Sequence, residues 1–286
     1  MEWNQPSYAG GLRTVNGKKL SGEIIQIGAV RMNELLDVED CFSIDVEPVF
    51  YRRMNRNVKK ITGITDAQLK GCEHFREAYA RFAEFCGDDC TLITWGRDDV
   101  PMLKLNMAAH GLDPEGLPAN CDLQLIFNDQ ITHQSRQWSL SAAMEQLGIE
   151  QKYEAHNALY DAINTAKIAM RLDMRRGVEN YGYIASIKSR LSTRDTFTGF
   201  KDLKSALADE RLQALSCPVC GKSLGRAAWI GSRGKRSAIA ACSEHGALKF
   251  ALSAYRDGKT FSLVRRVSPA SDEAAERYAL KLAEAK

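Results

Sequence analysis

The chain has 286 residues, of which 44% are hydrophobic and 26% are charged, enough for one domain of ordinary size and a smaller one. No apolar run approaches the roughly 18 residues of a membrane span, and the first residues lack the basic and apolar regions of a signal peptide. Eight cysteines are too few for a disulfide scaffold in a chain of this length. The composition therefore disfavours membrane and secreted classes, and we expect reduced thiols and a cytoplasmic location.

The net charge of +3 is unevenly distributed along the chain. Residues 201–286 carry 16 Lys/Arg and 9 Asp/Glu, a net charge of +7, whereas residues 1–200 carry −4. Within the C-terminal part, residues 216–266 hold 10 basic and only 2 acidic residues. Such a local excess favours contact with a phosphate backbone, and the alternative is a solvated basic face without a ligand.

The first 170 residues alternate predicted strands and helices, which predicts a mixed sheet flanked by helices. The elements, in chain order, are a buried strand at 22–34, its hairpin partner at 40–50, a short helix capped by Thr65, a helix at 74–86, a buried strand at 91–96, a helix from about Asp98 to His110, a strand or short helix at 121–127, a helix at 139–148 that ends at Gly148, and a helix after His156.

The remainder of the chain has a different pattern. Residues 174–214 are more polar and predict a connector that ends in a helix at 201–215. From Cys217 the pattern is one of short strands, including a hairpin whose turn is the dipeptide Asp257-Gly258. The residues from 271 to the end predict an exposed helix.

The helix after His156 directs a carboxylate inward. Asp161 lies on one face with Thr165, Ile168 and Leu172, and a buried carboxylate requires a cation or a metal. His156 lies five residues before Asp161, a rotation of about 500° on a helix, so the two side chains converge only if His156 lies in the entering loop. Asn157 is then the N-cap. Taken alone, this spacing also fits a structural histidine beside a capping carboxylate.

Four sequence motifs resemble those of the DEDDh exonucleases, the superfamily of the proofreading epsilon subunit, ribonuclease T and oligoribonuclease. HNALYD at 156–161 resembles the third motif of that superfamily, and TWGRDDVPML at 94–103 resembles the second. EIIQIGAV at 23–30 and ITGIT at 61–65 resemble its second strand and its substrate-side loop. They are most similar to the exoribonuclease branch related to the histone-mRNA exonuclease. The resemblance spans roughly residues 2–175.

The resemblance implies a ribonuclease-H-like α/β fold and a 3′→5′ exonuclease that releases 5′-mononucleotides from single-stranded RNA or DNA, with RNA favoured. It assigns Glu2, Asp99 and Asp161 to two Mg²⁺ or Mn²⁺ ions and His156 to the role of general base. Asp98 is an alternative ligand, or an N-cap or supporting group. The loop residues that the resemblance assigns to nucleic-acid contact are Thr62, Gly63, Ile64 and Thr65.

The first motif of the superfamily, Asp-x-Glu at the end of a central strand, is incomplete in this sequence. The chain begins Met1-Glu2-Trp3, so only the glutamate is present. We expect that the start is misassigned and that a strand carrying the aspartate precedes Glu2, because a sheet without its central strand leaves backbone groups unpaired at about 1–3 kcal/mol each. The alternative is a catalytically inactive, nuclease-derived protein that binds nucleic acid. Translation of the DNA upstream of Met1 distinguishes the two.

Two short pairs of metal-ligand residues follow in the C-terminal part. Cys217 and Cys220 form a CxxC pair, and Cys242 and His245 form a CxxH pair that is separated from the first by 21 residues. Such paired knuckles hold a four-coordinate structural Zn²⁺, and a segment this small needs the metal to fold. The alternative is a set of ordinary buried thiols. The pattern predicts a zinc ribbon with no open position for catalysis.

Basic residues and a tryptophan lie between the two knuckles. We predict that Arg233, Lys235 and Arg236 contact nucleic acid, with Arg226 nearby and Trp229 available for base stacking. A protein partner of the ribbon is the competing interpretation. The sequence thus predicts an exonuclease domain at 1–175 that lacks its first strand, a helical connector at 176–214, a zinc ribbon at 215–267 and a C-terminal helix at 268–286.

Overall fold

The structure, a computed structural model, describes residues 1–6, 11–133, 137–151, 156–232, 234–258 and 260–284. The chain divides into two compact units. The first comprises Met1–Gln124 and Gln137–Val178, and the second comprises Leu125–Arg136 and Glu179–Lys286. The predicted domain boundaries at 175, 214 and 267 remain predictions. None of the helices in the described ranges combines the length and the apolar character needed to cross a bilayer.

The elements up to residue 179 belong mainly to the first unit and follow the predicted order. They are β1 (Glu2–Asn4), β2 (Arg13–Val15), β3 (Lys18–Leu20), β4 (Glu23–Met32), β5 (Val38–Asp45), α1 (Arg56–Thr62), α2 (Asp66–Leu69), α3 (Phe75–Cys86), β6 (Thr91–Thr94), α4 (Asp99–Ala109), β7 (Ala119–Asp122), α5 (Leu123–Phe127), α6 (Leu140–Gln146), α7 (Ala158–Ala169) and α8 (Met174–Glu179).

The first unit combines antiparallel and parallel strand pairs. Strand β4 pairs antiparallel with β1 on one side and with β5 on the other, and the register places Glu2 opposite Gln26. Strands β6 and β7 form a parallel pair, and β2 and β3 form a small hairpin. The predicted ribonuclease-H-like mixed α/β fold is confirmed, as is the hairpin of β4 and β5.

Strand β4 is the centre of the first unit's core. Ile24 and Ile27 are fully buried and pack with Leu103 of α4 and Phe82 of α3. Ile25 belongs to a second apolar cluster with Met54, Ile64 and Leu69. Because β4 is buried on both faces, its sequence is almost continuously apolar, which is why the strand was predictable.

The second unit is built on antiparallel strands. Its elements are α9 (Tyr181–Leu191), β8 (Thr193–Phe200), α10 (Leu203–Leu207), α11 (Glu210–Gln213), β9 (Ala214–Ser216), β10 (Ser223–Arg226), β11 (Ile230–Ser232), β12 (Lys235–Cys242), β13 (Gly246–Asp257), β14 (Thr260–Pro269) and α12 (Asp272–Glu284).

Five strands of the second unit form one sheet in the order β11-β12-β13-β14-β8. The predicted hairpin is confirmed, although Asp257 pairs with Thr260 at the end of the ladder, so the turn begins after Asp257, with Gly258 in the left-handed region at φ 59°. The prediction that residues 176–214 are helical is wrong for Thr193–Phe200, which form β8 and pair with β14. Its Thr and Phe residues favour a strand, and the pairing partner lies about 65 residues away, outside the reach of a local pattern.

Candidate functional site

Three of the predicted catalytic residues meet in the first unit. One ligand atom each of Glu2, His156 and Asp161 lies within 4.8 Å of the other two. Glu2 is on β1, Asp161 is in the first turn of α7, and His156 lies just before that helix. As predicted, His156 is in the entering loop, and Asn157 is the N-cap, with its side chain accepting hydrogen bonds from the backbone N–H groups of Leu159 and Tyr160.

The fourth predicted residue, Asp99, is the first residue of α4 and faces the same cluster. Its Oδ1 atom accepts a hydrogen bond from the amino group of Met1 at 2.8 Å. The charge of Asp99 raises the pKa values of Glu2 and Asp161, so the three carboxylates are within electrostatic range of one another. Asp98 occupies the N-cap position of α4, but its side chain makes no capping hydrogen bond and is exposed.

The electrostatics of the cluster favour a cation. Burial raises the pKa of Glu2 above its ordinary value, and the neighbouring carboxylates Asp161 and Asp99 raise it further. Burial also raises the pKa of Asp161, although a hydrogen bond from the backbone of His156 and the charge of its ring act in the opposite direction. Positive charge near these groups, including the Met1 ammonium, opposes the increase in both pKa values but does not reverse it. Half-buried carboxylates that repel one another are stabilised by a shared cation.

His156 has a backbone conformation that few residues adopt. Its φ of +70° lies in the left-handed region, which is strained by about 1 kcal/mol or more for a residue other than glycine. The turn brings the backbone of His156 into hydrogen-bonding contact with the carboxylate of Asp161, while the imidazole remains exposed beside the cluster. The loop thus brings the side chains of His156 and Asp161 close together, although residues five apart on a regular helix point in different directions.

Strand β4 holds the elements that carry the site. The side chain of Gln26 accepts a hydrogen bond from Ala158 N at 2.8 Å and donates one to Asp45 Oδ1 at 2.8 Å. Asn106 of α4 is fully buried, and its Oδ1 atom accepts from Ile24 N at 3.0 Å. These two amides connect α7 and α4 to the strand that pairs with β1, and therefore fix all four site residues to one scaffold.

Gly28 permits the close approach of α7 to β4. A Cβ atom at this position would lie 2.2 Å from the backbone atoms Ala158 C and Leu159 N, which is far inside van der Waals contact. A larger residue would displace the start of α7. Sequence reasoning assigned no role to Gln26, Asn106 or Gly28. The signal for Gln26 was present, because it is a polar residue within an otherwise apolar strand.

The donor atoms of the cluster fit a hard divalent cation. Carboxylate oxygens are the ligands that Mg²⁺ and Mn²⁺ prefer, and ligands at about 2.1 Å from one ion lie about 3–4 Å apart. The spacing within 4.8 Å of the Glu2 and Asp161 ligand atoms is compatible with this separation. The exposed imidazole of His156 leaves one side of the cluster open to water.

A second cluster, in the second unit, contains the predicted zinc ligands Cys217, Cys220, Cys242 and His245. Cys220 Sγ lies 3.7 Å from Cys242 Sγ, and His245 Nδ1 lies 3.5 Å from Cys217 Sγ and 3.6 Å from Cys242 Sγ. A tetrahedron with Zn–S bonds of about 2.3 Å and a Zn–N bond of about 2.0 Å has edges of about 3.5–3.8 Å. The four side chains therefore fit one closed zinc site.

The structure gives the remaining predicted contact residues different environments. Arg233 lies outside the described residues. Lys235 is exposed, whereas Arg236 donates to the backbone oxygen of Gly231 at 3.1 Å and has a buried Nε atom. Arg226 is ion-paired with Glu210 at 2.8 Å.

Trp229 packs against both apolar clusters of the second unit, so stacking of bases on this ring is disfavoured. Base stacking on Trp229 was suggested from its position between basic residues, and sequence spacing does not show which face of the fold a tryptophan occupies.

The loop at residues 61–65 makes several hydrogen bonds of its own. Thr65 caps α2 in a capping box with Gln68, as the sequence predicted for the cap. Gly63 ends α1 in a left-handed conformation and is exposed, and Ile64 is buried. Thr62 donates its hydroxyl to Val58 O. The nucleic-acid contacts predicted for these four residues remain predictions.

The fold and the first cluster together define a nuclease of the ribonuclease-H-like class, and comparison with known families agrees. The sequence model of the RNase T family, described as Exonuclease, matches residues 13–169, more than half of the chain. The chain therefore belongs to this exonuclease family. The matched range contains Asp99, His156 and Asp161 and begins after Glu2.

Individual relatives are consistent with this assignment. The chain is 29% identical over 150 residues to the DNA polymerase III subunit epsilon of Aquifex aeolicus (strain VF5), covering 52% of this chain and 71% of the relative. Among solved structures, the nuclease domain of 3′hExo, a DEDDh family member bound to rAMP, superposes with a TM-score of 0.52 at 22% identity, covering 62% of this chain and 90% of that one. Cell-death related nuclease 4 superposes with a TM-score of 0.50 at 19% identity, covering 62% of each chain. At these identities the likeness shows a shared fold.

Proposed function

We propose that this protein is a divalent-metal-dependent 3′→5′ exonuclease that releases 5′-mononucleotides from single-stranded RNA or DNA. The observation that carries the proposal is the convergence of Glu2, His156 and Asp161, from positions far apart in the sequence, on one point with Asp99 beside it. Family membership supplies the reaction class. The similarity to the nuclease domain of 3′hExo supports the polarity.

In the proposed phosphodiester hydrolysis, the residues of the site have different roles. Glu2, Asp99 and Asp161 would hold two Mg²⁺ or Mn²⁺ ions, which when bound stabilise charge on the phosphoryl group and lower the pKa of a water. The imidazole of His156 is positioned to accept a proton from the attacking water, because it is exposed and its ring nitrogen is within 4.8 Å of both carboxylates. Gln26 and Gly28 keep His156 and Asp161 in register with Glu2.

The second cluster has a different role in the proposal. All four of its positions are filled by protein ligands, so a bound Zn²⁺ would stabilise the second unit and take no part in cleavage. RNA is the favoured substrate. A cytoplasmic location is also part of the proposal, because none of the eight cysteines forms a disulfide.

The polarity of cleavage is tested with one oligonucleotide labelled in two ways. The full chain is incubated with Mg²⁺ and a single-stranded RNA or DNA that carries a fluorophore at its 5′ end. We expect a ladder of progressively shorter labelled products, because nucleotides leave from the opposite end. The same oligonucleotide labelled internally near its 3′ end should release labelled mononucleotide in the first turnovers.

Two results would contradict the proposal. Immediate release of the 5′ label as a mononucleotide would show the reverse polarity. Tight binding of the oligonucleotide without any shortening, in Mg²⁺ and in Mn²⁺, would identify a nuclease-derived binding protein without catalysis. RNA and DNA probes of the same sequence, compared by initial rate, measure the sugar preference.

A further inference from the structure

The two faces of the five-stranded sheet in the second unit carry different side chains. Successive side chains of a strand point to opposite faces. On β13, Leu248, Phe250 and Leu252 are buried in the apolar clusters that also contain residues of α9, α10 and α12. The alternate residues of β13, from Lys249 to Tyr255, therefore lie on the opposite face, which we call the outer face.

The outer face carries four exposed basic residues. The strand registers place Arg194 of β8 directly opposite Arg266 of β14, Arg266 opposite Ala251, and Lys235 of β12 opposite Ser253. With Lys249, these residues flank Ala251 and Ser253 of β13. None of the four basic residues forms an ion pair with another described residue.

Arg265 of the inner face is paired with acidic and backbone acceptors, whereas Arg194 and Arg266 of the outer face have no such acceptor among the described residues. On the inner face, Arg265 forms an ion pair with Asp195 at 3.0 Å and donates to Arg211 O. On the outer face, the residues from Lys249 to Tyr255 of β13 and their cross-strand partners include no acidic residue, and two arginines stand directly opposite each other. Like charges in this position destabilise a sheet, and a bound anion reverses the effect. The outer face therefore favours the binding of a negatively charged ligand.

The extent of the charges favours a polymer. Lys249 and Lys235 are separated by about 14 Å along the strands, and β12 and β8 by about 14 Å across them, which exceeds the size of a single phosphate. Tyr255 adds an aromatic ring that is 50% exposed on the same face. Basic groups that follow a backbone, combined with an exposed ring on which a base stacks, are typical of surfaces that bind single-stranded nucleic acid. The exposed ring favours nucleic acid over an acidic peptide, because nucleic acid offers bases that stack on it.

We propose that the outer face, formed by Arg194, Lys235, Lys249, Tyr255 and Arg266, binds single-stranded nucleic acid. Of these residues, Lys235 alone was predicted from the sequence. The surface is distinct from the carboxylate cluster of the first unit, and its binding does not require the cleavage reaction.

Salt dependence tests the phosphate contacts. Binding of a fluorescent 20-nucleotide oligothymidylate or oligouridylate to the full chain is measured by anisotropy without added divalent metal, and a gel confirms that the probe is intact. Each phosphate contact adds about 0.7 to the steepness of log affinity against log salt for single strands. Arg194→Gln/Arg266→Gln should lower the slope by about 1.4, so this variant loses about sevenfold less affinity than the wild type between 50 and 200 mM salt.

A matched control removes the same charge elsewhere in the unit. Lys201 and Lys204 are exposed and lie at the start of α10, whose apolar residues pack on the inner face. Lys201→Gln/Lys204→Gln should keep the wild-type slope. An unchanged salt slope in the Arg194/Arg266 variant overturns the proposal. An equal change of slope in the Lys201/Lys204 control overturns it as well.

The tyrosine provides an independent readout. Tyr255→Ala should weaken binding about tenfold, within the range measured for loss of one stacked base, with no change in the salt slope. Tyr255→Phe keeps the ring and should bind like the wild type. Unweakened binding by Tyr255→Ala in a variant with wild-type thermal stability contradicts the stacking role. Cleavage of the same probe in Mg²⁺ is measured separately, so failure of the nuclease proposal is distinguishable from failure of this one.

Discussion

The carboxylate cluster of the first unit and the thiol cluster of the second are built from the chain in opposite ways. The thiol cluster comes from two pairs with three-residue spacing, so each half is made by one tight turn. The carboxylate cluster combines residue 2 with residues 99, 156 and 161, and it exists only when β1, α4 and α7 are all packed on β4. The difference predicts that metal and fold depend on each other in the second unit, whereas in the first unit the fold precedes the metal.

Loss of zinc should have the largest effect. Cys217→Ser removes a ligand of the closed site, and structural zinc contributes about 10–16 kcal/mol in small zinc-dependent modules. We expect the second unit to lose its ordered sheet while the first unit keeps its fold. Hydrogen exchange of the amides of β12–β14 against those of β4, together with the zinc content, measures this. Cys41→Ser, a change of an exposed thiol, is the control. Retained protection of β12–β14 in zinc-free protein would contradict the comparison.

Changes in the carboxylate cluster should leave the fold and remove activity. Asp161→Asn and His156→Ala are each expected to lower the cleavage rate about 10²–10⁴-fold, since one removes a metal ligand and the other the general base. Initial rates on a labelled oligonucleotide measure the loss, and zinc content should stay constant. Asp99→Asn should behave in the same way, whereas Asp98→Asn should remain active, because Asp98 is exposed at the helix start. Undiminished cleavage by Asp161→Asn would refute the site.

A buried histidine distinguishes the pH responses of the two units. Burial lowers the pKa of His110 to about 4, with Arg76 and His74 acting in the same direction and Glu77 opposing them. The ring packs against Phe50 and Phe75, and its Nε2 atom lies 3.9 Å from Glu23 Oε1. A histidine that is neutral when folded stabilises the protein above its ordinary pKa of 6.5, and this contribution disappears as the pH falls toward 4.

The expected loss from His110 is about 2 kcal/mol between pH 7 and pH 5. His110→Phe keeps the aromatic packing and should lack this part of the acid sensitivity. Burial raises the pKa of Glu23, so its own contribution declines as the pH rises above 4.5, which is opposite in sign to the contribution of His110. Unfolding of the first unit, followed by hydrogen exchange at β4 between pH 5 and 7, measures the difference. Identical pH profiles would contradict the assigned role.

The connection between α7 and β4 should give a smaller effect. Gln26→Met leaves the buried N–H of Ala158 without an acceptor, at a cost of about 1–3 kcal/mol, and should shift His156 and Asp161 enough to slow cleavage about tenfold. Thermal unfolding and initial rates measure the two consequences. Gln146→Met is the matched control, because Gln146 is exposed on α6 of the same unit. Equal behaviour of the two variants would show that Gln26 does not position the helix.

The two units also differ in how far the sequence predicted them. The buried strand β4, the N-cap Asn157 and the cysteine pairs follow from local patterns and were predicted correctly. Strand β8 was missed because its partner β14 is distant in sequence, and the supporting roles of Gln26, Asn106 and Gly28 depend on which elements pack together. The stacking role suggested for Trp229 is disfavoured because its ring packs against the apolar clusters of the second unit, which sequence spacing does not show.

Metal binding by paired variants tests the central claim most directly. Mn²⁺ is titrated into the zinc-loaded full chain and followed by electron paramagnetic resonance, while bound zinc is counted in the same samples. The account predicts that Glu2→Gln and Asp161→Asn weaken Mn²⁺ binding by at least tenfold and keep the zinc, whereas Cys217→Ser loses the zinc and still binds Mn²⁺. Mn²⁺ binding that is unchanged in Asp161→Asn, or abolished by Cys217→Ser, would contradict it.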